Sequence, residues 1–178
     1  IGVLLDGAQT RHVIEIENLL KQETLPDNLL VYGQGGVLVE MAQFFSMLGK
    51  KVAVVVADQP ILPKADAYLN DYIVQKLRRD HIPLHFGKNL EVIAARKARV
   101  NETVVEFDKI LNCNWRQAIL PRLKVDLETD GGYISVNNCL QTSIPNIYAV
   151  GDVNGKSYLA HAASAEGETI AVFTKNLT

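Results

Sequence analysis

The stretch Leu30-Val31-Tyr32-Gly33-Gln34-Gly35-Gly36-Val37-Leu38-Val39-Glu40 carries the clearest chemistry in the sequence. An apolar run ends in glycines and continues into an amphipathic segment, the order strand, turn, helix. Glycines spaced G-x-G-x-x-G in such a turn let the backbone approach a dinucleotide pyrophosphate. The phosphates then rest on the free N–H groups and positive dipole end of the helix. Gly33 suits the tight turn and Gly35 the close approach, with Gln34 and Gly36 completing the loop. The third glycine is Leu38, which predicts that helix and strand are pushed apart or rotated. An acidic residue at the end of the next strand should bind the adenosine ribose, and the strand register puts Val56 there. Asp58, two residues later, reaches a ribose only if the loop bends back. No arginine pair lies there to meet a 2′-phosphate.

Other reactive side chains form weaker patterns. His81 and His85 have i, i+4 spacing, but Pro83 splits them between a helix end and a strand, so they read as ordinary residues and not as a metal pair. Cys113 and Cys139 are far apart and form no C-x-x-C pair. They read as free, buried or semi-buried thiols of a cytoplasmic protein, and no zinc spacing exists. Trp115 reads as a packing residue.

The elements that would position the glycine turn follow from periodicity. Leu29 to Tyr32 is a continuous apolar strand, the pattern of a sheet covered on both faces. Val37, Leu38, Met41, Phe44, Phe45 and Leu48 line one face of a helix from Gly36 to Leu48, capped by Gly49. Lys51 to Ala57 is a second strand, so the segment is a right-handed βαβ unit. A second helix fits Ala65 to Arg79, and Ile82 to Phe86 a third strand. Leu90 to Ala95 and Val100 to Phe107 read as antiparallel strands around a turn at Arg96 to Arg99. Lys109 to Cys113 is a further short strand, so a parallel core is followed by a meander. Before the core, Val13 to Gln22 fits a short strand or a helical turn. After it, Asp130-Gly131-Gly132 turns into Tyr133 to Val136, Ile147 to Val150 reads as a buried strand, and Ser157 to Thr174 as an alanine-rich helix.

Bulk properties agree with a packed domain. Of 178 residues, 48% are hydrophobic and 21% charged, which suits a folded core. The net charge of −2, without basic or acidic blocks, gives no electrostatic case for nucleic acid or a membrane surface. No apolar run approaches the roughly 18 residues of a membrane span, and no signal peptide is visible. The start, Ile1-Gly2-Val3, reads as the middle of a larger chain.

The order of landmarks resembles the pyridine nucleotide-disulfide oxidoreductases, a flavoprotein family. The family's A-T-G-A turn is similar to Leu5-Asp6-Gly7-Ala8, and its P-x-x-L-x-V-x-G-x-G segment to Pro26 through Gly35. The G-x-E that follows survives as Glu40. The L-G-x-x-V-T-V-V-E segment resembles Leu48 to Val56, followed by Ile61-Leu62-Pro63. The most specific match is T-S-x-P-x-I-Y-A-x-G-D, which resembles Thr142 to Asp152. The following Leu159-Ala160-His161-x-Ala163 is similar to the dihydrolipoyl dehydrogenase branch more than to glutathione reductase.

The resemblance implies an α/β fold: a Rossmann-like NAD(P)-binding domain whose parallel sheet carries a three-stranded antiparallel meander, flanked by segments of a FAD-binding domain. Residues 1–25 would return from the FAD domain, 26–112 form the NAD-binding-like domain, and 113–178 re-enter the FAD domain. It implies that Gly33, Gln34, Gly35, Gly36, Glu40 and Asp58 border the nicotinamide dinucleotide. Gly151 and Asp152 would meet the FAD ribityl and pyrophosphate, and Leu159, Ala160 and His161 would start a helix pointed at the flavin. It further implies FAD and NAD(P) as cofactors of a full-length homodimer that passes two electrons between a dithiol, flavin and NAD. The dithiol and the catalytic His and Glu would lie outside this chain, which alone would be inactive. His161 and Glu166 have the H-x-x-x-x-E spacing of that catalytic pair but sit in the wrong segment, so they read as ordinary residues of the flavin-side helix. Departures gather at nucleotide positions: Asp6 for Thr, Leu38 for Gly, Val56 for Glu, and Cys113-Asn114-Trp115-Arg116-Gln117 for V-G-R-x-P. They motivate a second reading, a non-catalytic paralogue whose NAD-like domain is a scaffold or interaction module. A third reading, a single-domain NAD sensor, conflicts with a tail that lacks its own sheet.

Overall fold

A computed structural model describes residues 11–87, 90–114 and 118–175. The expectations placed on Leu5-Asp6-Gly7-Ala8 and on Trp115-Arg116-Gln117 fall outside the described residues. The chain divides into two compact units, Ile1–Trp115 and Arg116–Thr178.

The first unit is built on a five-stranded sheet. Its strands are β1 (Val13–Glu15), β2 (Asn28–Gly33), β3 (Lys51–Val56), β4 (Leu84–Phe86) and β8 (Lys109–Cys113), in the order β1-β8-β2-β3-β4. Every pairing is parallel. Residues 13–15 form a strand and Ile16–Leu19 a single helical turn, α1, so both expected conformations occur in succession. β1 lies before residue 26 yet pairs with β8, so the sheet draws on the segment that precedes the expected domain start.

Side chains along the central strands alternate between two apolar layers, as the period of two requires. Leu29, Val31, Val54, Val56, Leu111 and Cys113 face a layer shared with Leu38, Ala42 and Phe45 of α2 (Gly36–Met47) and Leu77 of α3 (Ala67–Arg79). Leu30, Tyr32, Val55 and Ile110 face a second layer formed with Leu90, Ala98, Val100 and Phe107. The continuous apolar run of β2 is therefore covered on both faces. Asp66 caps α3 by accepting the Leu69 N–H at 2.7 Å, and Lys76, Arg78 and Arg79 in the last turn complement the helix dipole.

The second layer is an antiparallel meander of β5 (Leu90–Ala94), β6 (Lys97–Val100) and β7 (Thr103–Glu106). It has three strands, but not the three expected: Lys109–Cys113 joins the parallel sheet instead, the expected strand from Val100 to Phe107 is broken by a turn, and the expected turn at Arg96 to Arg99 is mostly strand. Ala98 and Val100 point into the core, while Lys97 and Arg99 point outward and pair across the sheet with Glu106 at 3.3 Å and Glu91 at 3.2 Å. The second turn falls at Asn101, whose φ of +52° is a conformation asparagine tolerates well.

The second unit contains a hairpin of β9 (Thr129–Asp130) and β10 (Tyr133–Ile134), a short 3-10 helix at Gly151–Asn154 and the helix α4 (Ala160–Lys175). The expected buried strand at Ile147 to Val150 is not formed. Only one bridge, Gln141 with Tyr148, pairs this segment, and a strand needs a ladder. Of its four residues only Ala149 is buried. No helix among the described residues is long and apolar enough to cross a membrane.

β8 is held beside β2 by Asp108. Its Oδ2 accepts the Asn28 backbone N–H at 2.9 Å and the Asn28 Nδ2 at 3.0 Å, and Arg96 approaches Oδ1 at 3.0 Å. These bonds, the Asn28 N–H first, hold the Asp108 carboxyl below its usual range. A depressed carboxyl contributes stability that is present above its unfolded pKa and lost as pH falls through the folded value. The Asp108→Ala variant should lose about 1–3 kcal/mol. In urea titrations that difference should be full above about pH 5 and shrink as pH falls below about 4.

Candidate functional site

Gly33, Val56, Phe86 and Cys113 lie in register at the carboxyl edge of the parallel sheet. The strand order reverses at β2, with β3 and β4 on one side and β8 and β1 on the other. Ligands of open α/β sheets bind at such a reversal. Gly33 ends β2 and Gly35 caps α2, so the glycine turn stands at the reversal.

The glycines of the turn differ in their surroundings. A Cβ on Gly33 would stand 2.5 Å from the Cys113 carbonyl carbon, and its φ is +145°. Gly33 therefore serves the approach of the neighbouring strand. At Gly35 and Gly36 a Cβ would find nothing within 4 Å. That open space fits a phosphate approaching the first turn of α2. The Gly35 N–H itself donates to the Ile61 carbonyl at 2.7 Å, so an anion there would rely on N–H groups further into the helix.

The loop after β3 is bound to this turn. Gln34 Nε2 donates to the carbonyls of Asp58 at 3.0 Å and Pro60 at 2.9 Å. Asn70, buried in α3, holds the other end: its Oδ1 accepts the Leu62 N–H at 2.8 Å, and its Nδ2 donates to the Leu62 and Asp66 carbonyls at 3.0 and 2.9 Å. Sequence reasoning noted Ile61 only as part of a loop triplet and missed Asn70. An asparagine inside a helix, eight residues after an Ile-Leu-Pro loop, was the available signal.

Val56 is the last residue of β3 and fully buried, so no carboxylate occupies the ribose position at that strand end. Leu38 is also fully buried and shares an apolar cluster with Val56. Asp58 is exposed on the loop, where its Oδ1 accepts the Gln59 N–H at 2.9 Å. Glu40 is exposed on α2. His81 lies in the turn after α3 and His85 in β4. The Cys113 thiol is buried and pushed up to about 12 by that burial, with Glu15 adding to it.

In the second unit, Thr142 closes the loop before the glycine-aspartate turn. Its Oγ1 donates to the Ile147 carbonyl at 3.0 Å and its backbone N–H to the same carbonyl at 2.9 Å. Gly151 is buried with φ +74°, and Asp152 follows with its side chain exposed. The Tyr158 hydroxyl donates to the Tyr133 hydroxyl at 2.8 Å. That bond, burial, and the charges of Tyr133 and Asp152 push Tyr158 up to about 12. Leu159, Ala160 and His161 are exposed at the start of α4. An exposed carboxylate after a fixed glycine fits a ligand rich in hydroxyl groups. Glu166, read from sequence as an ordinary residue, accepts hydrogen bonds from Gly151 and Asn154. Gly33 through Glu40 and Asp58 gather in the first unit, and Gly151 through His161 in the second.

The model of one family, described as pyridine nucleotide-disulphide oxidoreductase, matches residues 2–167. The chain belongs to this family. Its members are FAD- and NAD(P)-dependent oxidoreductases. Dihydrolipoyl dehydrogenase of Acholeplasma laidlawii is 33% identical over 162 residues, covering 88% of this chain and 48% of that protein. Dihydrolipoyl dehydrogenase of Bacillus subtilis is 31% identical over 179 residues, covering 93% of this chain and 37% of the other. The chain thus spans less than half the length of these curated relatives. Among solved structures, the HOCl-induced flavoprotein disulfide reductase RclA from Escherichia coli matches with a TM-score of 0.80 at 22% identity, over 94% of this chain and 40% of that one. An engineered water-forming NADPH oxidase bound to NADPH matches with a TM-score of 0.79 at 21% identity, over 96% and 43%. These structural likenesses confirm the Rossmann-like α/β fold.

Two outcomes follow from the geometry. Gly33→Ala forces a Cβ into the Cys113 backbone and should cost about 3 kcal/mol, read as a lower urea midpoint. At pH 8 an alkylating reagent should label the exposed Cys139 and leave Cys113 unmodified until the protein is unfolded, because only the thiolate reacts.

Proposed function

We propose that this chain is the nicotinamide-dinucleotide-binding part of an FAD-dependent oxidoreductase of the dihydrolipoyl dehydrogenase type. The observation that carries this reading is the glycine turn: Gly35 and Gly36 leave open space at the start of α2, where the strand order of a parallel sheet reverses. The ordered resemblance to dihydrolipoyl dehydrogenases supports the substrate type. FAD would accept two electrons from a dithiol and pass them to NAD(P). Residues 26–112, joined by β1, form the nucleotide domain, and residues 113–178 belong with the FAD domain.

Each residue then has a task. Gly35 and Gly36 admit the pyrophosphate to α2, Gln34 holds the loop that flanks it, and Asp58 offers the remaining carboxylate near the adenosine ribose. Glu40 lies on α2 toward the nicotinamide. Gly151 and Asp152 meet the FAD ribityl and pyrophosphate, and Leu159, Ala160 and His161 begin the helix directed at the flavin. The full-length protein is a homodimer that supplies the dithiol and the acid–base pair from outside this chain. The two unpaired cysteines suit a reducing cytoplasm.

A second reading makes the nucleotide domain a scaffold. Leu38 and Val56 motivate it, since one apolar cluster absorbs both departures and no carboxylate stands at the end of β3. Two measurements separate the readings. Full-length protein should purify yellow and reduce NAD with dihydrolipoamide, while the 178-residue chain alone should show no such activity. Colourless protein that FAD cannot reconstitute defeats the enzyme reading. Titration of NADH into the full-length protein should give a Kd tighter than about 1 mM, and no binding at that level favours the scaffold.

A further inference from the structure

Glu166 is half-buried in the second turn of α4 and joins that helix to the turn carrying Asp152. Its Oε2 accepts the Gly151 backbone N–H at 2.7 Å and Asn154 Nδ2 at 3.0 Å. One carboxylate oxygen therefore holds both ends of the four-residue 3-10 helix. Asn154 is buried and extends the hold: its Nδ2 also donates to the Ala149 carbonyl at 3.2 Å, and its Oδ1 accepts the Lys156 N–H at 2.9 Å. Ala163, one helical turn before Glu166, stands 3.2 Å from where a Cβ on Gly151 would lie. So α4 seats directly against the Gly151 backbone. With the Gly151 N–H donated to Glu166 and its φ at +74°, the direction in which the chain presents Asp152 is fixed.

We propose that Glu166 is a positioning residue that acts through Asp152 on FAD binding. This rests on the reading of Asp152 given under Proposed function. Bonds from N–H donors to a carboxylate are stronger than those to a neutral acceptor. Removing this carboxylate takes the acceptor from the Gly151 N–H and leaves Asn154 Nδ2 with the Ala149 carbonyl alone. The turn then relaxes, and Asp152 no longer meets the cofactor in a single orientation.

The test is a double-mutant cycle in the full-length flavoprotein, stripped of flavin and titrated with FAD by flavin fluorescence. Glu166→Ala should weaken FAD binding about tenfold. Glu166→Gln, whose amide oxygen still accepts both donors, should stay within about twofold of the parent. In a D152A background, E166A should add less than about a twofold loss, because the residue it positions is gone. An equal loss with and without Asp152 overturns the proposal while leaving Asp152 as an FAD ligand. If D152A alone leaves FAD affinity unchanged, the reading of Asp152 fails and this inference falls with it. E166Q binding as weakly as E166A also counts against the hydrogen-bonding role. Should E166A fail to fold, E166D, shorter by one methylene, takes its place in the same cycle.

Discussion

The backbone of Cys113 passes the end of β2 so closely that a Cβ on Gly33 would lie 2.5 Å from its carbonyl carbon. Only a hydrogen fits there. The contact lets β8 run beside β2 to the last residue, in register from Lys109 opposite Leu29 to Cys113 opposite Gly33. With β8 on one side and β3 on the other, β2 becomes the central strand at which the order reverses. The glycine turn and the start of α2 stand where they do because of that reversal. Asp108 fixes the other end of the same strand pair through Asn28. The arrangement of strand ends at the carboxyl edge thus depends on one missing side chain there and one carboxylate at the opposite edge.

The departures from the dinucleotide pattern are absorbed by packing. Leu38 and Val56 enter one apolar cluster with Phe45, Ile61 and Leu77. A leucine at the third glycine position would push α2 from the sheet if it pointed into the interface unaccommodated. Here it is fully buried, and so is the strand end it shares the cluster with. Ile61 connects this core to the turn: its side chain is buried in the cluster while its carbonyl accepts the Gly35 N–H. The loop from Asp58 to Leu62 is therefore held by the core beneath it, by Gln34 on one side and by Asn70 on the other.

Much of the first unit was legible from apolar periodicity. β2, α2, β3 and α3 occur within a residue or two of their expected bounds, since each buries a regular face. The meander was misread at Arg96 to Arg99 because charge looks like a turn when a strand exposes one face. Lys97 and Arg99 alternate with Ala98 and Val100, a period of two over only four residues. Ile147 to Val150 failed for the opposite reason: the segment has the apolar content of a strand and no ladder partner beyond Gln141. At the candidate site, the glycines were visible and their tasks were not. A close approach by β8, some 80 residues later in the chain, leaves no local mark around Gly33. The same holds for Glu166, whose partners lie on a preceding turn that only the seating of α4 brings near.

Both glycine turns share a device with different chemistry. In each, a glycine N–H at the start of a helical segment is taken by an acceptor from the protein itself. For Gly35 that acceptor is the neutral Ile61 carbonyl, and for Gly151 it is the Glu166 carboxylate. A glycine whose N–H is already bound contributes shape more than hydrogen bonds to any ligand. What it offers is the direction of the residue that follows. After Gly35 this is Gly36, with open space around it, which suits an anion drawn to α2 by its dipole and free amides. After Gly151 it is Asp152, an exposed carboxylate that accepts from hydroxyl groups. The charged acceptor therefore stands behind the turn that presents a charged side chain. The Gly151 N–H and the Asn154 amide are the donors that meet that acceptor.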